Sequence, residues 1–162
     1  MINEQYKYSE FTSKIIGCAM TVHKALGNGF QEVSYQRALE IKMRLAGIVF
    51  NRGFKMPIFY REEQIDTRSV DFLVDGGISV ELKAITKLEV AHFAQATNYL
   101  EAFNLEVGLL INLRKKSLNF KKSNNEKIKS QQSRESNKSQ FRQCYSNTPP
   151  TYIYNFLLTR NS

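Results

Sequence analysis

Three residues in one short stretch have the types and spacing for a hard-cation site: Asp71, Glu81 and Lys83. Glu81 and Lys83 are two apart, so on a strand they project from one face. Their surroundings are apolar, and burying either charge alone is costly, so they either pair or do chemistry. Asp71 lies on the preceding arm, at the distance from the intervening turn that sets it beside them. If Asp71 and Glu81 converge, they form a hard-oxygen site suited to Mg²⁺ or Mn²⁺ with Lys83 next to it. Without metal the two carboxylates repel, and at least one has a raised pKa. The competing account is a surface hairpin carrying a Glu–Lys pair, an arrangement worth little energetically.

The elements that must position these residues can be read from the pattern around them. Ser69–Val74 and Ile78–Ala84 read as two strands, and Asp75-Gly76-Gly77 supplies the positive-φ positions of a tight turn. Upstream, Ile15, Ile16, Ala19, Met20, Val22 and Leu26 recur at helical spacing, which predicts a helix over 9–26 that ends at Gly27-Asn28-Gly29. His23, near its end with one flanking lysine and no second histidine nearby, reads as structural. A second helix is expected over 31–46, with Val33, Ala38, Leu39, Ile41 and Leu45 on its buried side and Gly47 as its stop. Glu32 and Tyr35 share a face in its first turn, where a carboxylate also complements the helix N-terminus.

Residues 48–60 read as an extended arm, which Pro57 places at an edge, and Glu62-Glu63-Gln64 as a polar connection. Helical spacing returns over 88–103, with Leu88, Ala91, Ala94 and Leu100 apolar and His92, Gln95 and Tyr99 forming a polar-aromatic stripe. Val107–Asn112 is a nearly continuous apolar run, as for a strand covered on both sides, and 117–121 alternates as a last edge strand. The order is helix, helix, three strands, helix, two strands, which is an α/β pattern.

The net charge of +8 is unevenly placed: residues 114–162 carry 11 Lys and Arg against 2 acids, so the body before them is close to neutral. From Ser123 to Gln140 the chain is almost entirely polar and is expected to be disordered, and Thr151–Leu158 reads as an added strand or an interface segment. The expected division is therefore a folded domain over 1–122 and a basic, largely disordered extension over 123–162. Cys18 and Cys144 suggest neither a disulfide framework nor a zinc site. No apolar run approaches the ~20 residues that span a bilayer, so a cytoplasmic protein without membrane contact is expected.

Asp71, then Glu81-Leu82-Lys83 on consecutive strands, then a helix bearing Gln95 and Tyr99, resembles the PD-(D/E)XK nuclease superfamily. Gly29-Phe30-Gln31-Glu32-Val33-Ser34-Tyr35 matches the G-x-x-E-x-x-Y signature, and together with Val22–Gly27 it makes the chain similar to the GxxExxY proteins from about residue 10 to about residue 122. The resemblance implies a restriction-endonuclease-like α/β core, a central mixed sheet flanked by helices. It also implies that Asp71 and Glu81 hold a divalent ion, Mg²⁺ or Mn²⁺, that Glu32 completes the metal site, and that Lys83 orients or activates the attacking water. Tyr35, Gln95 and Tyr99 become candidate substrate contacts. One departure is Asn112-Leu113-Arg114-Lys115, where the family tends to carry an aromatic residue and a glycine.

The leading functional expectation is a metal-dependent nuclease that hydrolyses phosphodiester bonds in DNA. The alternative is a nucleic-acid- or protein-binding module on an inactive nuclease scaffold, which the near-neutral body favours slightly. A subunit that acts only as a homo-oligomer or with a partner protein is a third, with Tyr152–Phe156 as its interface.

Overall fold

The computed structural model describes residues 4–128. Two helices, α1 (Glu4–Leu26) and α2 (Glu32–Leu45), precede three strands, β1 (Phe50–Tyr60), β2 (Glu63–Val74) and β3 (Ile78–Lys83). Helix α3 (Val90–Ala102), β4 (Val107–Asn112) and β5 (Asn119–Asn124) follow, in the expected order. The strands form one sheet in sequence order, with β3 and β4 parallel across the α3 crossover and every other neighbour antiparallel. This is a mixed five-stranded sheet flanked by helices, the restriction-endonuclease-like α/β arrangement expected.

Adjacent residues on a strand face opposite ways, and β2 makes the two layers visible. Phe72 packs with Ile15 and Val22 of α1 and Tyr35, Leu39 and Met43 of α2, whereas Leu73 packs with Leu100 of α3. The sheet therefore separates the α1–α2 pair from α3. The all-buried pattern of β4 is what a strand between two helical layers requires.

The buried side of α2 differs from expectation. Tyr35, Leu39 and Met43 face the core, while Val33, Ile41 and Leu45 are exposed. The helix carries two apolar stripes at similar spacing, and burial of a tyrosine requires a partner for its hydroxyl. Tyr35 has both kinds: it donates to the Gly27 carbonyl at 2.6 Å and accepts from the Phe30 N–H at 3.3 Å. On α3, similarly, Leu100 is buried but Ala91 and Ala94 are exposed.

The β1–β2 hairpin is longer than expected, because β2 starts at Glu63 rather than Ser69. Its turn is Arg61-Glu62, both at positive φ (47° and 71°). The outer half of this ribbon is solvated on both faces, so its sequence lacks the alternation that marks a strand. β1 is an edge strand, as Pro57 implied.

At the other end β5 continues to Asn124, past the boundary expected at 122, and the compact unit ends at Glu126. Asn125 is buried, and its amide donates to the carbonyls of Leu100 and Leu105, which closes the end of α3. The rest of the polar extension and the Thr151–Leu158 segment lie outside the described residues. His23 is buried with Nε2 donating to the Lys115 carbonyl at 2.8 Å, a structural role. Among the described residues no helix is long and apolar enough to cross a membrane.

Candidate active site

The site forms where β2 leaves β3. These strands pair only at Phe72↔Val80, Leu73↔Ser79 and Val74↔Ile78, so the ladder ends one residue before Asp71 and Glu81 would face each other. The β1 side lapses at the same point: Arg52↔Phe72 and Phe54↔Val70 are paired, but Gly53 between them sits at φ +60°, a conformation that L side chains rarely adopt. Val70 and Phe72 consequently pack into different layers. The freed Asp71 carboxylate replaces the missing ladder bond by accepting the Leu82 N–H on Oδ2 at 2.7 Å, while Oδ1 accepts Gln36 Nε2 at 2.8 Å.

Glu81 is poorly compensated by comparison. Its Oε1 is buried with no hydrogen-bond partner among the described residues, and Oε2 lies 4.0 Å from Lys83 Nζ, a charge contact rather than a hydrogen bond. Burial, and then the Asp71 charge, pushes its pKa up to about 7, against a smaller opposing pull from Lys83. Asp71 is also raised, by burial first, although the Leu82 N–H holds it down. Glu32, half-buried at the start of α2, adds its charge to both shifts. Asp71 and Glu81 thus oppose each other's ionisation, Glu32 adds to both effects, and Lys83 offsets them only in part.

A cleft of about 260 Å³ opens beside Glu81 and Lys83, lined on the sheet side by these two with Thr67, Arg68 and Ser69 and on the α3 side by His92, Gln95 and Tyr99. Gln95 Nε2 donates to the Tyr99 hydroxyl at 2.6 Å, so the two present one joined polar edge. His92 accepts the Glu89 N–H on Nδ1 and so caps the start of α3.

The structure therefore brings Asp71, Glu81 and Lys83 together, sets Glu32 within electrostatic range, and puts Gln95 and Tyr99 across the cleft. Tyr35 is elsewhere. It is fully buried, and its hydroxyl ties down the Gly27–Phe30 turn from which α2 starts. Its place explains the Gly29…Glu32…Tyr35 spacing, since the tyrosine anchors the turn that aims the glutamate. Sequence reasoning missed Gln36, which holds Asp71. The available signal was its position one helical turn after Glu32.

The donor set suits a hard divalent cation: carboxylates of Asp71, Glu81 and Glu32, with Glu81 Oε1 buried and lacking a partner among the described residues. Among the described residues no three His, Cys, Asp or Glu side chains are already gathered into a chelating cluster.

A mixed sheet with an acidic residue at the parting of two strands, and a Glu-x-Lys on the strand beside it, is the arrangement of a nuclease-like fold. Residues 9–126 match the PD-(D/E)XK nuclease superfamily, and the chain belongs to that superfamily. Neither the curated proteins nor the solved structures compared gave a match.

Proposed function

We propose that this protein is a Mg²⁺- or Mn²⁺-dependent nuclease of the GxxExxY type that hydrolyses phosphodiester bonds in DNA. The observation that carries the reading is Glu81: a buried carboxylate with an oxygen that has no partner among the described residues, on the wall of a cleft and beside a second carboxylate. A purely structural glutamate would be paired or replaced, because an uncompensated buried charge weakens the fold.

In this mechanism Asp71 and Glu81 would hold the ion, with Glu32 at the start of α2 as the further carboxylate acting on them. When bound, the ion lowers the pKa of water and offsets charge growing on the phosphate oxygens. Lys83 Nζ orients the attacking water or the phosphate as a compact cation. Gln36 and the Leu82 N–H fix the Asp71 carboxylate, so its geometry is set before substrate arrives. Gln95 and Tyr99 meet the sugar–phosphate strand from the opposite wall.

The test is Mn²⁺-dependent cleavage of a mixture of single-stranded and duplex DNA by the wild type and by Glu81→Gln. Wild-type cleavage that chelation stops and Glu81→Gln abolishes supports the reading. Equal cleavage by both proteins refutes the mechanism, and a well-folded wild type that neither cleaves nor binds Mn²⁺ leaves an inactive scaffold.

A further inference from the structure

The stretch Asn112-Leu113-Arg114-Lys115, which departs from the resembling family, forms part of a well-anchored loop over 113–118 between β4 and β5. β3 and β4 are parallel and Lys83 pairs with Asn112, so the loop starts at the end of the sheet where Lys83 lies. The Leu113 N–H donates to the Lys83 carbonyl at 2.8 Å, which ties the two strand ends together. Leu113 is buried in the main core and Leu118 packs against the same core, so both ends of the loop are fixed by apolar contact.

Polar anchors hold the middle. Asn112 is fully buried; its Oδ1 accepts the N–H groups of Ile85 and Arg114, and its Nδ2 donates to the Ile85 carbonyl. It thereby joins the loop after β3 to the loop after β4. His23, from the opposite helical layer, grips the Lys115 carbonyl. On this braced backbone Arg114, Lys115 and Lys116 are consecutive, all exposed, and make no ion pair among the described residues. Lys87, on the loop that Asn112 holds, and Lys24, next to His23, are exposed as well.

Three adjacent cations on an ordinary surface loop are a solvated charge run. Here the backbone beneath them is anchored by two buried polar side chains, by Leu113 in the core and by Leu118 packed against it, and the loop adjoins the Glu81–Lys83 strand. Anchoring a cationic loop lowers the entropy lost when it meets a polyanion. Along one DNA strand a charge recurs every ~3.4 Å of axis, so DNA lying across the end of the sheet that carries both Lys83 and the loop offers several phosphates to it.

We propose that the loop over 113–118 is a phosphate-tracking site, in which Arg114, Lys115 and Lys116 hold the sugar–phosphate backbone of the DNA strand that occupies the cleft. The proposal rests on the nuclease reading for its ligand. Contacts of this kind position the strand and carry no sequence preference.

The test uses the full chain and a fluorescent DNA duplex of roughly 30 base pairs, with affinity followed by anisotropy against salt in the absence of divalent metal. The variant is Arg114→Gln/Lys115→Gln/Lys116→Gln, and a charge-matched control is Lys14→Gln/Lys42→Gln/Arg44→Gln. Residues beyond 128 are the same in every protein, so differences in slope report the substituted sites. Loss of three phosphate contacts should reduce the slope of log K against log salt by about 2 to 3 and weaken binding on the order of 100-fold at 0.1 M salt. The control should change the slope by less than about 1.

An unchanged slope in the loop variant overturns the proposal, as does an equal loss in the control, which would make net charge rather than position responsible. Absence of wild-type binding overturns it too. Mn²⁺-dependent cleavage measured on the same samples separates the two ideas. Loop-dependent binding without cleavage keeps the tracking site and removes the nuclease reading, while cleavage with an unchanged loop slope does the reverse.

Discussion

Glu81→Gln should make the metal-free protein more stable at pH 8, although it removes a carboxylate on which the proposed metal site depends. The folded-state pKa of Glu81 is about 7, against an ordinary value of 4.5, because burial and the Asp71 charge both oppose ionisation. A raised folded pKa means that the native state holds its proton more tightly than the unfolded chain. The associated stability is fully present below pH 4.5, declines as pH rises, and is gone once pH has passed 7. At ~1.4 kcal/mol per pH interval, the difference corresponds to a ceiling of about 3 kcal/mol, which side-chain relaxation reduces. The side chain is only 15% exposed, so solvent screening does not erase the effect.

A glutamine keeps the shape and does not titrate. The stability advantage of Glu81→Gln over wild type should therefore be small near pH 4.5, grow through pH 7 and level off, reaching up to about 10 °C in Tm for a domain of this size. Thermal melts of both proteins in EDTA across pH 4.5–8.5 measure it. Adding Mn²⁺ at ~100 times its Kd should raise the wild type by about 2.7 kcal/mol and leave Glu81→Gln nearly unmoved, which closes the gap. A difference that is flat with pH, or a Glu81→Gln protein less stable at pH 8 than at pH 5 relative to wild type, would refute the buried-charge account.

Other expectations follow from the same geometry. Gln36→Ala removes a donor to Asp71 and should weaken Mn²⁺ binding by about 10-fold with the fold intact, measured by calorimetry; unchanged affinity would make Gln36 incidental. Lys83→Met should lower cleavage by roughly 10²–10⁴-fold while Mn²⁺ binding persists, and parallel loss of both would reassign Lys83 to holding the site together. Tyr35→Phe, which deletes the 2.6 Å bond to the Gly27 carbonyl, should cost about 1 kcal/mol in urea unfolding with KM for DNA unchanged. A raised KM would return Tyr35 to substrate contact. Asn112→Leu strands the Ile85 and Arg114 backbone groups and should cost about 3 kcal/mol; a neutral effect would mean that the loops after β3 and β4 hold without it.

Local pattern determined a good deal about this protein. Strand β4 at Val107–Asn112, the Asp75-Gly76 turn and the order of elements follow from residue type and spacing alone, because burial on two sides and positive φ each leave a local mark. The approach of Asp71, Glu81 and Lys83 to one another was legible as well, because charges in an apolar stretch must find partners.

Tertiary structure decided what depends on partners remote in sequence. Which stripe of α2 is buried turned on whether the Tyr35 hydroxyl could reach Gly27 and Phe30 across a turn. The outer β1–β2 ribbon, wet on both faces, carries no alternation to read. The role of Gln36 depends on a strand 35 residues further on, and the bracing of Arg114–Lys116 on Asn112, His23 and Ile85. Periodicity records which face of an element is apolar. The hydrogen bonds that fix a buried polar group, and the charges that shift the Glu81 pKa, exist only once separate elements have packed together.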